Sequence, residues 1–420
     1  MNIQYSGLLT KISFILMIGS SLAMPSGSFA GIPVKYITYI ACVVSLLAHW
    51  YKGAKINNAF LFLFTAVLLF VAFFSLVGSL YAIAHFYLVF TEGMFFVSTM
   101  TVTLLILMAN SCNAIKDEEI ILAAFYGVFI FSLWKFIAIF LLTANIVSFE
   151  NLMYFFEKYA KFVPVTTEIP GGYHRLTFAV NDFVATFFLF LVPTYPKVFS
   201  KVPLAIRVVF VTTATIGLVI AYSRYFFGFI AVLWLYAFLF KFTFKQRFIT
   251  CSIIIVILSL SLPWFMEVFE TRFLSEQADY SDNLRRLQTP ALIDAWKDLP
   301  ILGGGLGFYT KNVIRSDALM SAYEVQWVSF LAKFGMTGIS FLVFLVSLLF
   351  YKILAGEKII DHYVLAFSLF CFIISGFTNP YLLNSTAAVF YVLPLILASA
   401  FRKELAHAKT EENTANRMTA

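Results

Sequence analysis

Apolar runs long enough to cross a bilayer recur along almost all of this chain, and they leave few folds open to it. A membrane helix needs about 20 largely apolar residues. Such runs lie near residues 8–24, 33–50, 59–80, 87–109, 120–143, 176–195, 203–222, 225–241, 248–265, 326–351, 362–378 and 384–401. They predict an all-α polytopic integral membrane protein of about twelve transmembrane helices, built as a single membrane domain over 1–420. Only 12% of residues are charged, about half the share of a soluble domain, and the mean hydropathy is +0.89.

The formal charge of +7 is spread over inter-helix loops: Lys52 and Lys55; Lys197, Lys201 and Arg207; Lys241, Lys245 and Arg247; Lys352 and Lys358; and Arg402, Lys403 and Lys409 in the tail. With both termini cytoplasmic, all of these fall on one face, as the positive-inside rule requires. Nothing in the pattern is a nucleic-acid-binding motif, and no nucleic acid is expected as a partner. Ser28-Phe29-Ala30 has the form of a signal cleavage site, but the early charge Lys11 is embedded rather than leading, so the first run is read as a retained span. Cys42, Cys112, Cys251 and Cys371 lie outside the large polar loops, which argues against disulfides and against a CxxC metal site.

That topology leaves two polar segments outside, 145–175 and a large loop at 266–325. Residues 403–420 form a short polar cytoplasmic tail, expected to fray. Loops of this size tend to carry function. In the large loop, Asp282 is placed to cap an amphipathic helix, DNLRRLQTPALIDAWKDL, whose apolar positions follow helical spacing and which Pro290 would kink. Arg285 and Arg286 face different sides of it, so one of them can face a site.

The candidate site residues are mostly polar groups at the outer boundary. Arg175 opens a span that soon meets Asn181 and Asp182, a pair that is expensive in lipid unless it faces a polar cavity. Arg224 stands between two closely joined spans at the same depth. Arginine forks suit a shared phosphate-bearing ligand. Glu324 stands just before the span at Gln326, where partial desolvation suits a general base, and His174 is the other candidate base. Gly303-Gly304-Gly305-Leu306-Gly307 lacks the Lys-Ser/Thr ending of a nucleotide loop. It reads as a tight turn in which the amides of Gly305 and Gly307 could serve a ligand. No metal-ligand cluster is evident, and neither a metal nor another cofactor is expected.

In this order the pieces resemble the O-antigen polymerase and O-antigen ligase superfamily, over roughly residues 175–338. RLTFAVNDF is similar to the opening block of that family and AYSRYFFGFIA to its arginine-led helix start. DNLRRLQTPALIDAWKDLPILGGGLGFY resembles its R…W…P-xx-GxGxG loop, and the stretch from Glu324 through SFLAKFGMTG its final block. Glu324 and Val325 stand where the ligases carry His and a small polar residue, so the polymerase is the closer match.

The resemblance implies a metal-independent glycosyltransferase at the periplasmic face of the bacterial inner membrane. It would join oligosaccharide repeat units carried on undecaprenyl diphosphate, which supplies both donor and acceptor, with membrane lipid and a chain-length regulator protein as partners. On that reading Glu324, Arg224 and Arg175 are catalytic, and Arg285, Arg286, Asp182, Asn181, His174, Gly305 and Gly307 bind substrate. The alternatives are the ligase, transferring glycan to the lipid A core, and a lipid-glycan transporter or flippase. The transporter is disfavoured by the one-sided polar groups and by the lack of an internal repeat.

The topology has a direct test. Cysteines introduced at Ser281 or Ser316 should react with a membrane-impermeant thiol reagent once the outer membrane is permeabilised, and a cysteine at Lys245 should not. The reverse labelling pattern would overturn the assignment.

Overall fold

The computed structural model describes residues 3–80, 86–162, 164, 166, 168–169, 173–221, 223–248, 252, 276–314, 320–355 and 360–419. The described residues are 77% helical. Among the described residues the helices include α1 (Ile3–Ala23), α2 (Val34–Tyr51), α3 (Asn58–Leu80), α4 (Phe86–Ser111), α5 (Asp117–Thr143), the short α6 (Phe149–Phe155), α7 (Val180–Thr194), α8 (Leu204–Ala221), α9 (Arg224–Phe240), α10 (Glu276–Asp298), α11 (Gln326–Leu354), α12 (Ile360–Ser375) and α13 (Ser385–Thr419). Among the described residues the β structure is slight: an antiparallel pair of two-residue strands, β1 (Glu168–Ile169) and β2 (Tyr173–His174), and an isolated bridge from Phe29 to Ile32.

Eight of the described helices are long and apolar enough to cross a membrane, and α7, α9 and the apolar part of α1 are shorter. This is the all-α architecture of a membrane protein. Three local expectations change. The run expected at 176–195 becomes helical only at Val180, because Arg175 to Ala179 is extended or turned. Helix α10 starts at Glu276, so Asp282 lies inside it rather than at its cap. The expected fraying tail continues α13 as helix to Thr419. The expected span at 248–265 lies outside the described residues but for Phe248 and Ser252.

Packing divides the chain into two compact units. The first comprises Met1–Ser21, Lys35–Phe125 and Leu292–Ala420; the second comprises Leu22–Val34 and Tyr126–Ala291. In the first, α4 packs along α3 and α13, while α11 meets α12 and α13. The start of α5 follows its sequence: Asp117, Glu118 and Glu119 fill the first turn, where the helix dipole favours negative charge. Glu119 also reaches back to accept from the backbone N–H of Lys116 at 3.0 Å, closing an orphan donor in the manner of a capping box.

The first unit is organised by a break in α11. Gly335 leaves helical geometry at φ 55°, a conformation in which a side chain would be strained. The break frees the carbonyls of Ala332 and Lys333 and the amides of Met336 and Thr337, which an unbroken helix would pair with one another. The glycine-rich loop satisfies all four. Gly304 and Gly305 donate to Ala332 and Lys333 at 2.9 and 2.7 Å, and Met336 and Thr337 donate to Pro300 and Ile301 at 2.9 and 3.1 Å.

The same loop is held from the other side. The Leu306 amide donates to the Phe74 carbonyl of α3 at 2.9 Å, and the Gly307 amide to Glu92 Oε2 of α4 at 2.7 Å. Glu92 Oε1 pairs with Lys333 Nζ, which also donates to the Ser321 carbonyl at 2.6 Å. A Cβ on Gly305 would strike the backbone of Gly78, and one on Gly78 would strike Leu306.

Removing one partner of such a buried pair strands a charge, at about 3–5 kcal/mol. Lys333→Met should therefore lower the melting temperature in detergent sharply. The double variant Glu92→Gln/Lys333→Met should recover much of the loss, because the Gln oxygen still accepts from Gly307. Equal melting of the single and double variants would show that the ion pair is not what holds the loop.

Candidate functional site

In the second unit, α7 packs against α8 and α9. Its first turn is fixed by a buried ion pair. Lys135 Nζ, from the middle of α5, lies 2.6 Å from Asp182 Oδ1 and donates to the Gly217 carbonyl of α8 at 2.9 Å. Asp182 Oδ2 accepts from the Phe178 amide at 2.7 Å. The preceding residue pair is bent tightly, with Ala179 at φ 45°, a strained value for a residue with a Cβ. The turn inserts Phe178 among Phe131, Trp134 and Phe156, all at edge-on angles. Asn181 Nδ2 donates to the Leu22 carbonyl at 2.8 Å. Asn181 and Asp182 are thus buried in the first turn of α7, and the contacts described for Asp182 are to the fold itself.

That turn places Arg175. Its Nε donates to Thr177 Oγ1 at 2.9 Å and to the carbonyl of Ala221 at 2.8 Å. Ala221 ends α8, and α9 begins three residues later at Arg224. Arg175 is therefore bonded to the chain three residues before Arg224, at the junction of α8 and α9. The cluster extends into α10, where Asp282 Oδ1 is 2.8 Å from Arg285 Nη1 and Oδ2 is 3.7 Å from Arg224 Nη2. One carboxylate thus sits between two guanidinium groups, one of them on the first residue of α9. Arg285 is half-buried and Arg286 exposed, so neighbours on this helix do face apart and Arg285 is the one drawn into the cluster.

The remaining candidates have other surroundings. The ring of His174, from β2, stacks on Phe149 with centroids 3.9 Å apart. It lines a separate cavity of about 150 Å³ with Thr143, Asn145 and Ser148. Glu324 belongs to the first unit, where it is half-buried just ahead of α11. Its segment is pinned on both sides: Lys333 holds the Ser321 carbonyl, and Tyr323 Oη accepts from the Thr310 amide at 2.7 Å. Burial pushes the Tyr323 hydroxyl above its usual pKa, so it stays protonated across the physiological range. The amides of Gly305 and Gly307 are engaged by Lys333 and Glu92 inside the fold, not presented to a ligand.

Sequence reasoning passed over Lys135, Glu92 and Lys333. Each is a single charge inside an apolar run, and that alone marks it as needing a partner. No family model matches the chain, and no curated protein matches it.

Asp282 holds the position an anionic ligand would take between Arg224 and Arg285. Asp282→Asn should raise the affinity of the purified protein for inorganic pyrophosphate several-fold in low-salt calorimetry, and adding Arg224→Ala should cancel the gain. An unchanged affinity in Asp282→Asn would separate the cluster from anion binding.

Proposed function

We propose that this chain is an O-antigen-polymerase-like glycosyltransferase that joins oligosaccharide repeats carried on undecaprenyl diphosphate, at the periplasmic face of the bacterial inner membrane. On this reading the chain has about twelve spans and both termini in the cytoplasm. The observation that carries the proposal is the pairing of Arg224 and Arg285 with one carboxylate, Asp282, together with the hydrogen bond of Arg175 to the Ala221 carbonyl at the end of α8, three residues before Arg224. Diphosphate is a leaving group whose charge grows as the sugar departs. Cations already in place stabilise that charge without rearranging. Guanidinium forks add bidentate geometry and remain charged when desolvated.

In the transfer, an acceptor sugar hydroxyl attacks the anomeric carbon of the donor. The new C–O bond forms as the bond from that carbon to the diphosphate oxygen breaks, and the diphosphate leaves with the electron pair. The hydroxyl proton passes to a base, a role assigned to Glu324 from its place in the motif. A positioned carboxylate contributes about 10²–10⁴-fold to such a step. The ligase reading stays as the alternative, and Glu324-Val325, in place of His and a small polar residue, favours the polymerase.

The lipopolysaccharide ladder of a deletion strain separates these two readings. Single-repeat caps mark a lost polymerase, whereas uncapped cores with accumulating lipid-linked polymer mark a lost ligase. In complementation, Arg175→Ala and Arg224→Ala should each abolish chain extension at normal membrane levels of the protein, and Lys at either position should restore little. Glu324→Gln should remove long chains while lipid-linked repeats persist. A normal ladder in any of these variants removes that residue from the site.

A further inference from the structure

The first unit also contains a cleft of about 800 Å³ among α3, α4, α11 and α13, well away in sequence from the arginine cluster. Its body is apolar, with Leu63, Phe96, Leu345 and Leu349 among its walls, and its end is polar, lined by Asn57, Asn110, Lys352 and Arg402. Among the described residues no carboxylate lines it. From Leu342 to Lys352, both lining residues, α11 rises about 15 Å, the depth of one leaflet of the hydrocarbon core.

The polar end is built rather than incidental. Arg402 Nη1 donates to the Ala355 carbonyl at 2.8 Å and, less closely, to the carbonyls of Lys352 and Ile353. This neutralises the C-terminal end of α11, whose carbonyls would otherwise repel an anion. The nearby Asp117 is buried, and its oxygens are taken by Asn110, Ser399 and Lys403 at 2.8, 2.9 and 2.6 Å. Lys352 is exposed at the mouth and has no ion-pair partner among the described residues.

We infer that this cleft is a binding site for one anionic phospholipid, its phosphate at Lys352 and an acyl chain laid along α11 between α3 and α13. The charge complementarity selects the occupant: an apolar slot one leaflet deep ends in a mouth bearing Lys352, and among the described residues no carboxylate lines it. The basic loops mark this end as the cytoplasmic one, where anionic headgroups attract basic side chains. The site is independent of the proposed transferase chemistry.

Native mass spectrometry of the full-length protein, exchanged from detergent into mixtures of phosphatidylglycerol and phosphatidylcholine, tests this. The expected result is several-fold preferential retention of one phosphatidylglycerol. Lys352→Glu should abolish the preference and Lys352→Arg should keep it. Leu349→Trp, which fills the slot, should reduce retention of both lipids while gel-filtration behaviour is unchanged. Equal retention of the two lipids by the wild type, or undiminished retention in Leu349→Trp, would overturn the assignment. So would displacement of the lipid by millimolar inorganic phosphate, which would mark a simple anion site.

Discussion

The interaction on which the first unit depends is the exchange of hydrogen bonds between the broken helix α11 and the glycine-rich loop. A helix opened inside a membrane protein leaves backbone groups that lipid cannot satisfy, and such a break persists only where protein supplies the partners. Here the four groups released at Gly335 are met by Pro300, Ile301, Gly304 and Gly305. That fit needs glycine at several points at once, because the loop lies directly on the backbones of α3 and α11. Glu92 then fastens the loop to α4 through the Gly307 amide, and Lys333 carries the connection on to Ser321. The segment bearing Glu324 is thereby tied to the loop by one buried lysine.

The second unit uses the same device in another setting. Lys135, from the middle of α5, reaches both Asp182 and the Gly217 carbonyl, so one ammonium group connects α5, α7 and α8. Replacing such a pair with apolar groups is often harmless to stability, so its presence is better understood as fixing one arrangement of the helices. What it fixes is the start of α7. Asp182 holds the Phe178 amide, the strained Ala179 turns the chain, and the extended stretch before it delivers Arg175 to the end of α8.

The helices were legible in the sequence because a span announces itself by length and composition, and these survive any detail of packing. Arg175 and Arg224 stood out for a related reason: a guanidinium between two apolar runs has few places to go. What the sequence concealed was pairing. Glu92 and Lys333 are 241 positions apart and Lys135 and Asp182 are 47 apart, and nothing in the spacing of single charges names their partners. Asp282 misled for a different reason. An aspartate ahead of an amphipathic run is a good cap, but the polar residues before it also accept helix, and α10 starts six positions earlier. The aspartate is then free to turn sideways toward Arg224 and Arg285.

The two kinds of motif residue therefore carry different information. Gly303, Gly304, Gly305, Gly335 and Gly338 are required by close backbone approaches or tight side-chain contacts within one unit, so a block containing them speaks of architecture. A turn that uses its own amides to dock on neighbouring helices has none to lend, whatever its likeness to a ligand-binding loop. Arg175, Arg224 and Arg285 are held by polar contacts instead, Arg175 by Thr177 and the Ala221 carbonyl. Two of them share a carboxylate that is itself partly exposed, an arrangement that contributes little to stability at a surface. Arg175 is tied to the end of α8 through the Ala221 carbonyl, whereas the shared, half-exposed Asp282 leaves Arg224 and Arg285 as the residues for which the proposed diphosphate chemistry gives a reason.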